Sequence, residues 1–341
     1  MPKARVLATK ALDPDIERLF CEQFDFQIAS DPSIESITQA LYAFRPQGLV
    51  VRDDLPEDLP QMAPGLIHIA RHGSGVDVIP VAACTQAGIC ISRVPGGNAR
   101  SVAEWCLAQT LALLHRIHEI VQSAKSMGWS LTRSRYTGQA TDLAKKKVLL
   151  LGFGAIAQDL SRMLCLGLGA ELTVACRRPE TIRPESYGLD QQSVGFIHLD
   201  DAYHHLGQTD VLIPCLSLNE ATRGIVNADW FKALPPHAII VNASRGEIVD
   251  ESAMCEALRR GSIAAAAIDV VSKRSLPIDD PLWTVPRLFI TPHLAGHTAD
   301  AHQRNSSACL QAMTEALILD QCPKEAINPE VWARARIRRY A

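Results

Sequence analysis

Two stretches of this chain carry residue types whose spacing could do chemistry. In KVLLLGFGAIAQDL an apolar run enters Gly152-Phe153-Gly154-Ala155-Ile156-Ala157 and continues as a helical pattern. Gly152 allows a tight turn, Gly154 lets the backbone approach a pyrophosphate, and Ala157 takes the small position where helix and strand pack closely. The pyrophosphate would sit on the helix N-terminus, whose free N–H groups and dipole favour negative charge. The pattern is weak alone; here it lies in a strand–turn–helix–strand unit of suitable length. The second strand of that unit, ELTVAC, runs into Arg177-Arg178. An acid usually stands there to take a ribose 2′-OH, whereas an arginine can fork onto a 2′-phosphate. The unit therefore implies NAD(P)H, leaning to NADP(H). In the other stretch, DVVSKRSLP, Lys273 and Arg274 interrupt apolar and acidic surroundings, and His293 follows at the end of what reads as a buried strand.

Metal chemistry finds little support. His115, His118 and Glu119 have helical spacing but no evident third ligand, and His293, His297 and His302 lack the HExxH arrangement, so no metal is expected.

These residues are carried by alternating strands and helices. VLAT (6–9), FQIA (26–29), GLVV (48–51), LIHIA (66–70) and ICIS (89–92) read as strands. A second series follows: KVLLLG (147–152), ELTVAC (171–176), FIHL (196–199), DVLIPC (210–215), AIIVNA (238–243), AAAIDV (265–270) and LFIT (288–291). Continuous apolar strands alternating with helices predict parallel sheets covered on both faces. Residues 101–129 show apolar positions every three or four residues and read as one long helix, a spine or a subunit contact. A boundary near residue 98, with the C-terminal helix returning to the first domain, gives residues 1–98 and 299–341 as one domain and 99–298 as the other.

The bulk numbers exclude other classes. Lys+Arg (34) nearly cancel Asp+Glu (37), so nothing suggests a nucleic acid or membrane partner. The first residues lack the apolar core of a signal peptide, and no apolar run reaches the ~18 residues of a membrane span. Ten scattered cysteines without a CxxC pair read as free thiols, which fits the cytoplasm.

Taken in order, RHGSGVDVI (71–79), RVPGGNARSVAEW (93–105), LGFGAIA (151–157), VNASRGEIVDESAMCEAL (241–258), AAIDV (266–270) and LFITPHLAGHT (288–298) resemble the D-isomer-specific 2-hydroxyacid dehydrogenases, above all the phosphoglycerate dehydrogenase branch. The resemblance covers about residues 45–315. It implies an α/β fold of two Rossmann- or flavodoxin-like doubly wound domains, the cofactor domain inserted in the substrate domain, and a homodimer. By position, Arg245 would grip the substrate carboxylate and polarise its carbonyl, and His293 would be the acid–base residue. That chemistry is coherent: a 2-oxo acid needs a cation for its carboxylate and a proton donor that titrates near neutral pH. Asp269 would accept a bond from the nicotinamide carboxamide, and Ala243, in the NASRG turn, would line the cofactor. The backbone of Gly73, Ser74 and Gly75 would cradle the carboxylate, and Arg52 and Arg71 would stand near a second anion.

The chain departs from the family in two places. Five residues after the Asp of the IDV motif the family has a glutamate that bonds the histidine; here the place holds Arg274. A cation there would disfavour imidazolium. Arg274 could turn into the site and bind a second substrate anion, the arrangement favoured here. It could instead face solvent while Asp279 or Asp280 approaches His293. In a third arrangement proton transfer is crippled. The other departure is Cys215-Leu216-Ser217, where the family often has His-x-Pro. The expected function is hydride transfer between NAD(P)H and a small, anionic 2-oxo or 2-hydroxy acid. The alternatives are a dinucleotide-sensing protein with impaired catalysis and an oxidoreductase acting on a phosphonate-type oxyanion.

Overall fold

The computed structural model describes residues 3–190, 193–273 and 275–337. The chain forms two compact units, Met1–Asn98 with His297–Ala341, and Ala99–Gly296. The second is thus inserted in the chain of the first.

The first unit holds strands β1 (Arg5–Ala8), β2 (Asp25–Ile28), β3 (Gly48–Val51), β4 (His68–Arg71) and β5 (Cys90–Ser92) in the order β2-β1-β3-β4-β5. All neighbours pair in parallel. Helices α1 (Pro14–Gln23), α2 (Ile34–Phe44), α3 (Leu59–Met62) and α4 (Val81–Gln86) connect them. Successive strand residues face opposite sides. Val6, Ala8 and Val50 therefore pack with Ile16 and Phe20, whereas Leu7, Leu49 and Val51 pack with Ile37 and Leu41. Each fully buried Leu or Ile here contributes roughly 1.5–3 kcal/mol relative to exposure.

The second unit begins with α5 (Ala99–Leu114), α6 (Ile117–Met127) and α7 (Trp129–Tyr136). The sequence pattern suggested one helix over 101–129; the structure breaks it twice. Arg116 adopts a left-handed conformation (φ 55°) and Gly128 another positive φ (81°). The Arg116 turn is held by its own guanidinium, which bonds Glu119 and Gln139. A seven-stranded parallel sheet follows: β6 (Lys147–Leu151), β7 (Glu171–Cys176), β8 (Val194–His198), β9 (Val211–Pro214), β10 (Ile239–Asn242), β11 (Ala265–Ile268) and β12 (Leu288–Ile290). Its order is β12-β11-β10-β9-β6-β7-β8. Between the strands lie α8 (Ala155–Arg162), α9 (Ala228–Ala233) and α10 (Glu251–Arg260). Val148, Leu150 and Val241 pack with residues of α5 and α8, and Leu149, Leu151 and Ile240 with α9 and α10.

The chain then returns to the first unit as α11 (Ala299–Leu317) and α12 (Trp332–Ile337). Before α12 it covers the open edge of β5: Ser92 bridges Ala326 antiparallel, and Ile327 donates to Ile91 O at 2.8 Å. Asn328 completes this cover, accepting from Ile91 N at 2.8 Å and donating to Ile89 O at 3.0 Å. An edge so covered cannot pair with another chain.

Two histidines of the first unit are buried in their neutral form. Burial pushes His68, on β4, down to about 3, and burial with Arg52 and His302 nearby does the same to His72. The unfolded chain protonates both near 6.5, so below that pH it binds more protons than the folded protein. Stability is therefore complete above about pH 6.5 and falls as pH drops towards 3. These two groups together take away up to about 2.7 kcal/mol per pH unit. Urea unfolding at pH 7, 6 and 5 measures that slope, and His68→Gln should flatten it by about half.

Candidate functional site

At the end of β6 the backbone turns at Gly152, whose φ is 96°. A Cβ on Gly152 would lie 2.7 Å from the Cys215 carbonyl oxygen, so both the turn and the approach to the end of β9 require glycine. Gly154 caps α8 in an extended conformation, and a Cβ placed there would meet nothing within 4 Å. Ala157 is fully buried beneath them. The first-turn amides, those of Ala155 and Ile156 included, have no intrahelical partner and carry the positive end of the helix dipole. Phe153 steadies the turn by edge-on contacts with Tyr187 and Phe196, each at 5.0 Å. This open glycine turn beside free amides fits a dinucleotide pyrophosphate. Arg177 and Arg178 follow β7 directly and are both exposed. Cys215 and Leu216 are half-buried, and Leu216 Cδ2 would touch the same Gly152 Cβ at 3.2 Å.

The turn after β10 is organised by a buried asparagine. Asn242 Oδ1 accepts from Ser244 N at 3.0 Å and Ser244 Oγ at 2.7 Å, and Nδ2 donates to Arg245 O at 3.1 Å. Ala243 and Arg245 are half-buried. Arg245 is extended (φ −143°), and its Nη1 donates to Ser244 O at 2.9 Å. Gly246 jams this turn against the loop that follows β11: a Cβ there would lie 2.0 Å from Val271 C and 2.3 Å from Ser272 N. Backbone on both sides leaves no room for any other residue.

That second loop is tied down in turn. Ser272 bonds Glu251 through its amide and its hydroxyl. Lys273 Nζ pairs with Asp280, which also caps the next turn by accepting from Leu282 N at 3.0 Å. The Lys273 ammonium and this cap hold the Asp280 carboxyl below the usual carboxylate range. Asp280 is therefore committed to its own loop rather than to His293. Arg274 lies outside the described residues.

His293 follows β12 with a φ of 57°. A left-handed conformation costs a non-glycine residue roughly 1–2 kcal/mol, so the surroundings must hold it. They do so through Asp269, which is 2% exposed at the end of β11. Its Oδ1 accepts from Thr291 Oγ1 and from Leu294 N at 2.9 Å, and its Oδ2 from Ala295 N at 2.8 Å. Its main-chain oxygen accepts from His293 N at 2.8 Å, and its amide donates to Asn242 O at 2.9 Å. The Arg245 and His293 turns are thus joined through adjacent strands, at the same sheet end as the Gly152 turn. Ligands of open α/β sheets bind at this carboxyl end.

In the first unit, Arg71 does not stand free. Nε donates to Gly75 O at 2.8 Å, and Nη1 to Val51 O at 2.9 Å and His72 O at 3.3 Å. The guanidinium thus ties the Gly75 carbonyl to those of Val51 and His72. Gly73 needs its glycine, with φ 149°. Among the described residues, the amides of Ser74 and Gly75 bond no protein group. Arg52 is half-buried and bonds the protein through its amide to Thr9 Oγ1 and through Nη1 to Ala11 O at 2.7 Å.

Asn242, Ser244, Gly246 and Thr291 are parts of the site that sequence reasoning did not single out. Asn-x-Ser before a glycine is an Asx-turn signature that could have found the first two. His118 and Glu119, which with His115 share a helical spacing but were not expected to bind a metal, have other partners: His118 stacks on Phe289 at 4.4 Å, and Glu119 pairs with Arg116. No His/Cys/Asp/Glu group suited to a metal occurs among the described residues, and none of their helices is long and apolar enough to cross a membrane.

Residues 107–295, more than half of the chain, match the family model for the D-isomer specific 2-hydroxyacid dehydrogenase, NAD binding domain. The chain belongs to that family. A D-3-phosphoglycerate dehydrogenase of Archaeoglobus fulgidus is 32% identical over 257 residues, 75% of this chain and 46% of that protein. This chain thus spans about half the length of that relative. A glyoxylate/hydroxypyruvate reductase B of Yersinia pestis is 24% identical over 332 residues, 96% of this chain and 98% of that one. Among solved structures, an NADPH-dependent glyoxylate/hydroxypyruvate reductase of Sinorhizobium meliloti, in complex with citrate, superposes with a TM-score of 0.76. It is 22% identical and is covered to 98%, as this chain is to 96%, so the likeness is one of fold.

Proposed function

We propose that this 2-hydroxyacid dehydrogenase family member interconverts a small 2-oxo acid and its D-2-hydroxy acid with NAD(P)H. The observation that carries the reading is the joining of the Arg245 and His293 turns through Asn242 and Asp269, at the sheet end that bears the Gly152 turn. Gly152, Gly154, Ala155 and Ile156 would hold the pyrophosphate, and Ala243 would line the same side. The bound nicotinamide would supply hydride to the acid's C2, or accept it in reverse. Arg245 binds the carboxylate and draws electron density from the carbonyl oxygen, and His293 delivers the proton to that oxygen. Within the first unit Arg52, rather than Arg71, would be the residue for a second anion, since Arg71 is spent on carbonyl oxygens.

The test is oxidation of NADPH and NADH against a panel of mono-, di- and phosphorylated 2-oxo acids, with hydroxypyruvate and glyoxylate among them. Turnover supports the reading. Cofactor binding without turnover of any acid would favour a dinucleotide sensor, for which the family glutamate replaced by Arg274 is the specific observation, or a phosphonate-type oxyanion substrate.

The preferred cofactor on this reading is NADP(H). Two exposed arginines stand where an acid would meet the 2′-OH, and the Sinorhizobium meliloti relative is described as NADPH-dependent. Arg177→Glu should raise KM for NADPH by about tenfold or more, since a charge-assisted pair is worth roughly 1.5–3 kcal/mol, and leave KM for NADH little changed. Steady-state kinetics with both cofactors reads the difference.

A homodimer is part of the same proposal. Trp129 (80% exposed), Leu131 (64%), Ile117 (48%) and Val121 (46%) put large apolar side chains on α6 and α7 that a second copy would cover. Sedimentation velocity should show a dimer that Trp129→Glu shifts towards monomer by tenfold or more in Kd, the loss of one buried aromatic anchor. Ten free thiols suit a reducing, cytoplasmic setting.

A further inference from the structure

We infer that Asp269 is the positioning residue of His293: the buried carboxylate folds the turn that holds the imidazole. The inference rests on the reading of His293 as the acid–base residue and names what holds it in place. Three donors from one five-residue turn, the Thr291 hydroxyl and the amides of Leu294 and Ala295, converge on this one side chain. The His293 amide between them bonds the Asp269 main-chain oxygen at 2.8 Å. Residue 293 is thereby enclosed on both sides in a backbone conformation (φ 57°) that histidine adopts unwillingly. At 2% exposure Asp269 has no water to replace lost partners. Only an acceptor on both oxygens satisfies the turn. Asparagine at this position would set an NH₂ group against a backbone N–H. The same residue reaches the other turn, because its amide bonds Asn242 O and the Asn242 side chain fixes Ser244 and the Arg245 carbonyl. Asp269 thus sets the spacing between the cation that binds the carboxylate and the imidazole that moves the proton.

The experiment compares wild type, Asp269→Asn and Thr291→Val. It measures amide hydrogen exchange of the 291–296 segment, NADPH and NADH dissociation constants, and kcat and KM for the best acid of the panel. Asp269→Asn is expected to lose amide protection at Leu294 and Ala295 and to lower kcat by about 10²-fold, the cost of a misplaced catalytic group. The fall in kcat should exceed any rise in either cofactor constant by about tenfold or more, because the turn that holds His293 is lost in every state of the protein. Thr291→Val removes one of the three donors, the one that shares Oδ1 with Leu294 N, so the turn should loosen and kcat fall by no more than about tenfold. It also serves as the test should Asp269→Asn fail to fold: faster exchange at Leu294 supports the assignment, and unchanged exchange overturns it. Unchanged protection in Asp269→Asn, or a defect confined to cofactor affinity, overturns it as well. Should wild type reduce no acid, the dehydrogenase reading fails, and the exchange data still decide what Asp269 holds.

Discussion

His293→Asn lowers kcat by about 10²–10⁴-fold, the usual worth of a positioned general acid, and leaves NAD(P)H affinity unchanged. Asparagine is the informative replacement because it tolerates the left-handed conformation that residue 293 adopts (φ 57°) better than most residues. The turn around Asp269 should survive, since the residue 293 amide and the Thr291, Leu294 and Ala295 donors are all retained. What disappears is a group able to hold and release a proton near neutral pH. The loss should therefore fall on kcat and on kcat/KM alike, the mark of an interaction made in the transition state. A fall in cofactor affinity of similar size would place His293 in binding instead. Activity near that of wild type would remove the residue from the chemistry.

Arg245→Gln should lower kcat/KM for a 2-oxo acid by about 10²–10³-fold, again without weakening the cofactor. The glutamine keeps much of the half-buried stem and the extended backbone of residue 245, and the Asn242 clasp on the main-chain oxygen is untouched. Gly246, pressed against the Val271–Ser272 backbone, keeps the turn in register. The change thus removes charge and a two-pronged donor more than it removes structure. Arg245→Lys should lie between, because an ammonium supplies charge without the fork. An acid whose KM and kcat both ignore the Arg245→Gln change would have to be held elsewhere.

The twelve strands among the described residues were readable from the chain because their apolar residues form short, continuous runs, several of them, such as β3, β9, β10 and β11, buried on both faces. The runs GLVV and ELTVAC agree with β3 and β7 residue for residue, and elsewhere the strand ends shift by no more than two residues. The Gly152–Gly154 turn was readable for a different reason. Its requirement for glycine is local, written in φ and in the strand–turn–helix order. The parts that escaped depend on residues far apart in the chain. Gly246 is forced by backbone 25 and 26 residues later, and nothing in SRGE announces that. Asp269 gathers donors from residues 291, 294 and 295, so its structural task is invisible in AAIDV. Arg71 reads by resemblance as a ligand for a second anion until the fold shows the Val51, His72 and Gly75 carbonyls arranged around it. The break at Arg116 is of the same kind. Its apolar periodicity continues through position 116, and only the fold shows the left-handed arginine bonded to Gln139, on the far side of α6 and α7.

The most direct test of the dehydrogenase reading follows the hydrogen itself. NADPH or NADH deuterated at C4, on each face in turn, is incubated with the protein and a 2-oxo acid such as hydroxypyruvate, and the product acid is isolated. Deuterium is expected at C2 of a 2-hydroxy acid of D configuration, from one face of the cofactor alone, with about 10²–10³-fold less of it from Arg245→Gln at the same protein concentration and time. Oxidised cofactor with no deuterium in the acid, or an L product, would contradict the dehydrogenase reading.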